Sequence, residues 1–133
     1  MQTFRARLLW LVGFTGLLLA CGDGPTGPGI QPQVINTTDN FQYQVSNVQD
    51  YTGTLSYTWQ NTGVQATINQ STTVPSGSIS LVVLDANGTE VYSRSLADNG
   101  TFTTAAGVAG AWTIRIVYNS ADATVNFRAD KTT

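Results

Sequence analysis

Histidine is absent from this chain, cysteine occurs once, at position 21, and only 11% of the 133 residues are charged. Without histidine there is no Ser-His or Cys-His nucleophile pair. The usual zinc and copper ligand sets fail for the same reason. One cysteine allows no intramolecular disulfide. Basic residues are missing from Cys21 through Ser93, a stretch that holds Asp23, Asp39, Asp50, Asp85 and Glu90. From Cys21 onward there are four basic residues (Arg94, Arg115, Arg128, Lys131) against eight acidic ones, a net charge of −4. Nucleic-acid binding needs a basic footprint, so that partner is excluded. No window after residue 20 repeats with a 3.6-residue period, so no helix is expected and no phosphate-cradling loop can precede one. A glycosidase pair would have to be Asp85 and Glu90, which flank a turn. The chain reads as non-enzymatic.

The N-terminus reads as an address. Arg5 and Arg7 precede an apolar run, Leu8–Leu19. Twelve residues make a helix of roughly 18 Å, too short for a hydrocarbon core of roughly 30 Å, so a cleaved signal peptide is expected over residues 1–20. Leu18-Leu19-Ala20-Cys21 resembles the lipobox of bacterial lipoproteins: an aliphatic residue, a small residue at the cleavage point, then the cysteine. The resemblance implies cleavage between Ala20 and Cys21, a diacylglyceryl group on the Cys21 thiol and an acylated α-amine. Two or more chains anchor stably, because each buried CH₂ contributes ~0.8 kcal/mol. Gly22 rather than aspartate follows the cysteine, which by the same resemblance implies an outer membrane where the organism has two.

Residues 21–37 alternate glycine and proline near their start without a strict triplet and read as a flexible tether. Residues 38–133 read as one all-β domain. Period-two alternation marks strands at Phe41–Ser46, Thr54–Gln60, Val64–Asn69, Trp112–Tyr118 and Thr124–Arg128, with weaker ones at Val91–Leu96 and Thr101–Thr104. Ile79–Leu84 is apolar on both parities from Leu81 and reads as a strand covered on both sides. Asn87-Gly88 and Asn99-Gly100 read as hairpin turns with positive φ, and Asn61-Thr62-Gly63 as a third break. About eight short strands predict an antiparallel, jelly-roll-like two-sheet sandwich. Its expected core is Phe41, Tyr43, Leu55, Tyr57, Trp59, Ile68, Leu81, Val83, Trp112, Ile114, Ile116, Val125 and Phe127.

Two segments carry a second resemblance. Leu81-Val82-Val83-Leu84-Asp85-Ala86-Asn87-Gly88-Thr89, followed by Gly110-Ala111-Trp112-Thr113-Ile114-Arg115-Ile116, is similar to bacterial pre-peptidase C-terminal domains. Those have a Leu-x-Val-x-Asp-x-x-Gly hairpin and a Gly-x-Tyr/Trp-x-Ile/Val strand. The resemblance covers roughly residues 38–130 and implies a jelly-roll-like accessory or binding module.

Few side chains remain as site candidates. Asp85, Asn87 and Glu90 resemble half of a calcium loop, although the hairpin needs only Asn87 and Gly88. Tyr51 and Tyr92 are candidate surface contacts, whereas Trp59 and Trp112 share parity with core residues. If the last two strands pair, Arg115 and Arg128, with Asn126, Thr113 and Thr124, share one weakly basic outward face. The expectation is a lipid-anchored envelope protein whose sandwich binds another protein or serves as a structural accessory. The alternatives are a carbohydrate-binding module or a calcium-stabilised adhesion domain.

Overall fold

A computed structural model describes residues 30–133, and every regular element in that range is a β-strand. The strands are β1 (Gln33–Thr37), β2 (Asn40–Asn61), β3 (Ala66–Gln70), β4 (Thr73–Leu84), β5 (Glu90–Ser95), β6 (Gly100–Thr103) and β7 (Gly110–Lys131). All their pairings are antiparallel. The expected signal peptide, lipobox and start of the tether, residues 1–29, lie outside the described residues.

Strands β2 and β7 are each 22 residues long and pair along almost their whole length, from Asn40↔Asp130 to Asn61↔Gly110. On the other side of β7, β3 and β4 follow one another in nearly the same register, from Ala66↔Lys131 to Leu84↔Thr113. The break between them is bridged by a side chain. The Thr72 hydroxyl accepts from the Asn126 amide at 3.0 Å and donates to the Asn126 carbonyl at 3.1 Å, standing in for a backbone pair. The centre of the molecule is therefore a three-stranded ribbon. Straight, 22 residues would span about 70 Å, far beyond the reach of a domain this small. The ribbon must fold over.

It folds where extra residues enter the strands. Between Val45 and Tyr51, β2 gains two residues on β7, and between Tyr51 and Gly53 β7 gains one on β2. Strand β4 shows the same irregularity between Thr73 and Ser78. Four residues at these irregularities have positive φ: Asn47 (57°), Asp50 (45°), Ser120 (46°) and Gly77 (74°). Bulges bend strands and sharpen their twist, and here they line up across three neighbours. Side chains tie the corner: the Asp50 amide donates to Asp122 Oδ1 at 2.7 Å, and the Ser120 amide to Thr52 Oγ1 at 2.9 Å. Gly77 lies so close to β7 that a Cβ would sit 2.1 Å from the Ser120 carbonyl oxygen.

Beyond the corner the two halves face each other. One layer runs β1–β2–β7–β3–β6, using early β2 and late β7; the other runs β2–β7–β4–β5, using late β2 and early β7. Phe41 and Tyr57, sixteen positions apart on β2, have ring centroids 5.5 Å apart. Tyr43 and Phe127 stack beside them, and the buried Tyr43 and Tyr118 hydroxyls meet at 2.7 Å across the layers. Trp59 and Trp112 are cross-strand neighbours, both fully buried and edge-to-face. Their indole N–H groups donate to the Thr37 and Val108 carbonyls.

The two-layer antiparallel sandwich agrees with the sequence reading, and most of the expected core is buried. Its organisation differs in several places. Seven strands replace eight, because two expected pairs fuse into β2 and β7 while Gln33–Thr37, expected in the tether, forms edge strand β1. Leu55 and Tyr57 are half-buried, since late β2 is the edge of its layer. Ile79–Leu84 alternates instead of being covered on both sides: Ile79, Leu81 and Val83 are buried, Val82 and Leu84 half-buried. At Asn87-Gly88 only Gly88 has positive φ. Asn99-Gly100 joins no hairpin, because β6 pairs with β3 and not with β5; it crosses between layers, as Asn61–Gly63 does.

The corner yields a stability prediction. Gly88 also has positive φ but nothing within 4 Å of its missing side chain, so Gly88→Ala should cost about 1–2 kcal/mol for conformation alone. Gly77→Ala adds a backbone collision and should cost about 2–5 kcal/mol, read from urea midpoints of the two variants.

Candidate functional site

Five of the domain's carboxylates, Asp39, Asp85, Asp98, Asp122 and Asp130, are engaged by the chain's own donors. Asp85 is buried at the start of the β4–β5 turn. Its Oδ1 accepts from the Asn87 and Thr89 amides, both at 2.9 Å, and its Oδ2 from the Val108 amide at 2.9 Å. The Thr89 N–H, followed by those of Val108 and Asn87, holds the acid below its ordinary value despite desolvation. Gly107 packs against it: a Cβ there would lie 2.7 Å from the Asp85 Cβ. Asp85 thus fastens the segment before β7 to the β4–β5 turn. Asn87 and Glu90 are exposed, and the described residues contain no group of three His, Cys, Asp or Glu able to hold a metal ion. The Asp-x-Asn-Gly-x-Glu run is a turn whose acid binds backbone amides.

Asp39 plays a similar part where β2 begins. It accepts from the Thr62 amide at 2.7 Å and lies 3.4 Å from Lys131 Nζ. The Thr62 N–H, then its hydroxyl and Lys131, pull its proton affinity down. Asp130 receives Arg128 Nε at 3.0 Å and the Asn40 amide.

Of the tyrosine candidates, Tyr92 is buried and Tyr51 is partly exposed. Tyr92, expected at the surface, is buried and donates its hydroxyl to Gln70 Oε1 at 2.7 Å. Gln70 Nε2 in turn donates to the Ser95 and Asp98 carbonyls. This closed network bolts β3 of one layer to β5 of the other, and burial pushes the Tyr92 phenol up to about 12. Tyr51 is half-buried with its ring edge-on to Tyr118 at 5.0 Å.

Arg115 and Arg128 do not share a face. They lie on the two halves of one bent strand, so they point outward from opposite layers. Arg115 stands between Ser56 and Val82, and Arg128 between Gln42 and Asn69.

Around Arg128 the register assembles something the strand-by-strand reading missed. The outer face of the β1–β2–β7–β3–β6 layer carries three rows. The first is Gln33, Gln44, Asn126. The second is Ile35, Gln42, Arg128, Asn69, Thr101. The third is Thr37, Asn40, Asp130, Thr67, Thr103. Six carboxamides, four threonines and one neutralised ion pair cover this face. Some are tied to each other, as Asn69 Nδ2 to Thr101 Oγ1 at 2.9 Å. A shallow pocket of about 80 Å³ lies among Gln33, Ile35, Gln42, Gln44 and Asn126. The signal was present in the polar parity of β2 and β7. Gln33 and Ile35 escaped because they follow Pro32 in a stretch that resembles linker.

Asp85 gives a pH prediction. Its folded-state acidity lies below the ordinary value of 3.8, so its contribution is complete above that pH and is lost as pH falls through the lower folded value. Asp85→Asn should lower the urea midpoint at pH 7 and flatten its decline between pH 4 and pH 2, measured by fluorescence of the buried tryptophans.

Compared with protein-family models and with curated proteins, the chain matches none.

Proposed function

We propose that this chain is an exported, lipid-anchored, non-catalytic module that offers its carboxamide-rich sheet face to a protein partner in the bacterial envelope. The carrying observation is the contrast between the two kinds of polar group. Asp39, Asp85 and Asp130 bind neighbours within the fold, while Gln33, Gln44 and Asn126 form an exposed row on the outer face. Carboxamides donate and accept in one plane and carry no charge, so such a face suits neutral hydrogen-bonding partners. Cys21 supplies the anchor and residues 22–32 the spacer; Gly22 favours the outer membrane. The likeness to pre-peptidase C-terminal domains supports the accessory role. Its two motif segments are neighbours, with Leu81↔Ile116 and Val83↔Ile114 paired and Asp85 bonded to the segment before β7.

The pocket beside Ile35 favours a second reading, a carbohydrate-binding face. A volume of about 80 Å³, apolar on one side and ringed by amides, suits one substituent of a sugar ring.

Two experiments test these readings. Cys21→Ser should move the protein from the membrane to the soluble fraction; retention on the membrane would contradict the anchor. A photo-crosslinking residue at Gln44 should capture a stoichiometric envelope protein in whole cells, whereas the same probe at Ser56, on the opposite layer, should not. Equal capture at both positions would refute the face, and retention on polysaccharide that Gln44→Ala abolishes would establish the second reading.

A further inference from the structure

Edge strands expose unpaired backbone groups, and natural sheets blunt them with lysine, proline, bulges or a covering element. The far edges of this sandwich are blunted. Arg94 lies 3.9 Å over the Phe102 ring, carrying β5 onto β6, and the Ala105 amide bonds the Val91 carbonyl. Strand β1 has none of these devices. Gln33-Val34-Ile35-Asn36-Thr37 is uncharged, contains no proline and pairs with β2 in unbroken register. It ends the strand order, with no strand on its other side among the described residues. At its centre Ile35 is 52% exposed, one of three large apolar side chains so exposed among the described residues.

We propose that β1 pairs antiparallel with β1 of a second copy of this chain, about a two-fold axis at Ile35. The strand is self-complementary about that residue: Ile35 would meet Ile35 of the other copy, and Gln33 would meet Thr37. No charge opposes a charge. The pairing joins the two outer faces into one layer of ten strands and doubles the carboxamide rows. It is isologous and closed, so the sticky edge is used once and cannot propagate into a fibre.

The chain outside the structure favours a second copy over an unrelated strand. β1 directly follows the segment that leads from Cys21, and the twelve residues 21–32 reach at most about 40 Å. A two-fold axis along the membrane normal puts both copies of Gln33 at equal height, about 13 Å apart, so both tethers can enter one bilayer. Confinement of both anchors to one bilayer keeps neighbouring copies at the same height and so favours their lateral encounter. This part of the argument rests on the anchoring reading above; the self-complementarity of β1 does not.

The test is thiol crosslinking of Ile35→Cys in the full-length protein in membranes, followed by non-reducing electrophoresis. Residues opposed in an antiparallel pair have Cβ atoms about 4.5–5.5 Å apart, so mild oxidation should convert most of the protein to a covalent dimer. Asn87→Cys, on an exposed turn remote from β1, should stay largely monomeric. Equal dimer yields for the two variants in membranes, repeated on a Cys21→Ser background, would overturn the proposal. The same Ile35→Cys change on a Cys21→Ser background, concentrated in solution, separates the pairing from the anchor. A dimer there upholds the pairing even if Cys21 proves unacylated, and monomer in both settings refutes it. Ile35→Lys, which sets two cations against each other, should halve the particle mass by light scattering with an unchanged melting curve.

Discussion

Everything in this domain depends on a single line of bulges. Three adjacent strands acquire extra residues at the same level, and Asn47, Asp50, Ser120 and Gly77 take the left-handed conformation there. Left-handed backbone is unfavourable for most L-residues, and asparagine and aspartate accept it more readily than others. Ser120 is the exception, and its amide is held by Thr52. The three strands can bend together because Gly77 lets the β4 backbone approach Ser120 without a side chain between them. The fold turns a long ribbon into two layers while β2 and β7 stay paired on both sides of the corner, and the aromatic core forms where the halves meet.

The second feature is the use of polar side chains as fasteners. Asp85, Asp39, Gln70 and Thr72 each bond backbone or side-chain groups on elements separate in sequence. In a small core with no disulfide within the domain, such satisfied polar groups fix which loop lies against which strand. The same commitment engages Asp85 of the run that resembles half of a calcium loop, and Tyr92 among the tyrosines. The outer face of the β1 layer is left with chemistry of its own, dominated by neutral amides.

Strand location and core parity were legible because period two survives wherever one face of a strand is buried. Trp59, Trp112, Ile114, Phe127 and Tyr43 followed directly from alternation. Continuity was not legible. The bulges at Ser46–Asp50 and Asn119–Asp122 interrupt alternation just as a loop would, so two long strands read as four short ones. The irregularity between Val83 and Leu84 has a similar effect on β5, where Val91 and Tyr92 are consecutive and both buried. A residue taken as outward by parity is thereby turned inward. Arg115 and Arg128 each fall on the polar parity of their own segment but not on one face, because the corner lies between them. The carboxamide rows needed the pairing of five strands, which no single stretch of sequence contains.

The folded ribbon can be tested without any ligand or partner. Phe41 and Tyr57 lie on the same strand, sixteen positions apart, with ring centroids 5.5 Å from each other. A nuclear Overhauser measurement on selectively labelled aromatic rings should show strong cross-peaks between them, together with Tyr43 to Tyr57. Cross-peaks confined to sequence neighbours and directly paired strands, with none between Phe41 and Tyr57, would mean that the ribbon does not close on itself and would contradict the architecture described above.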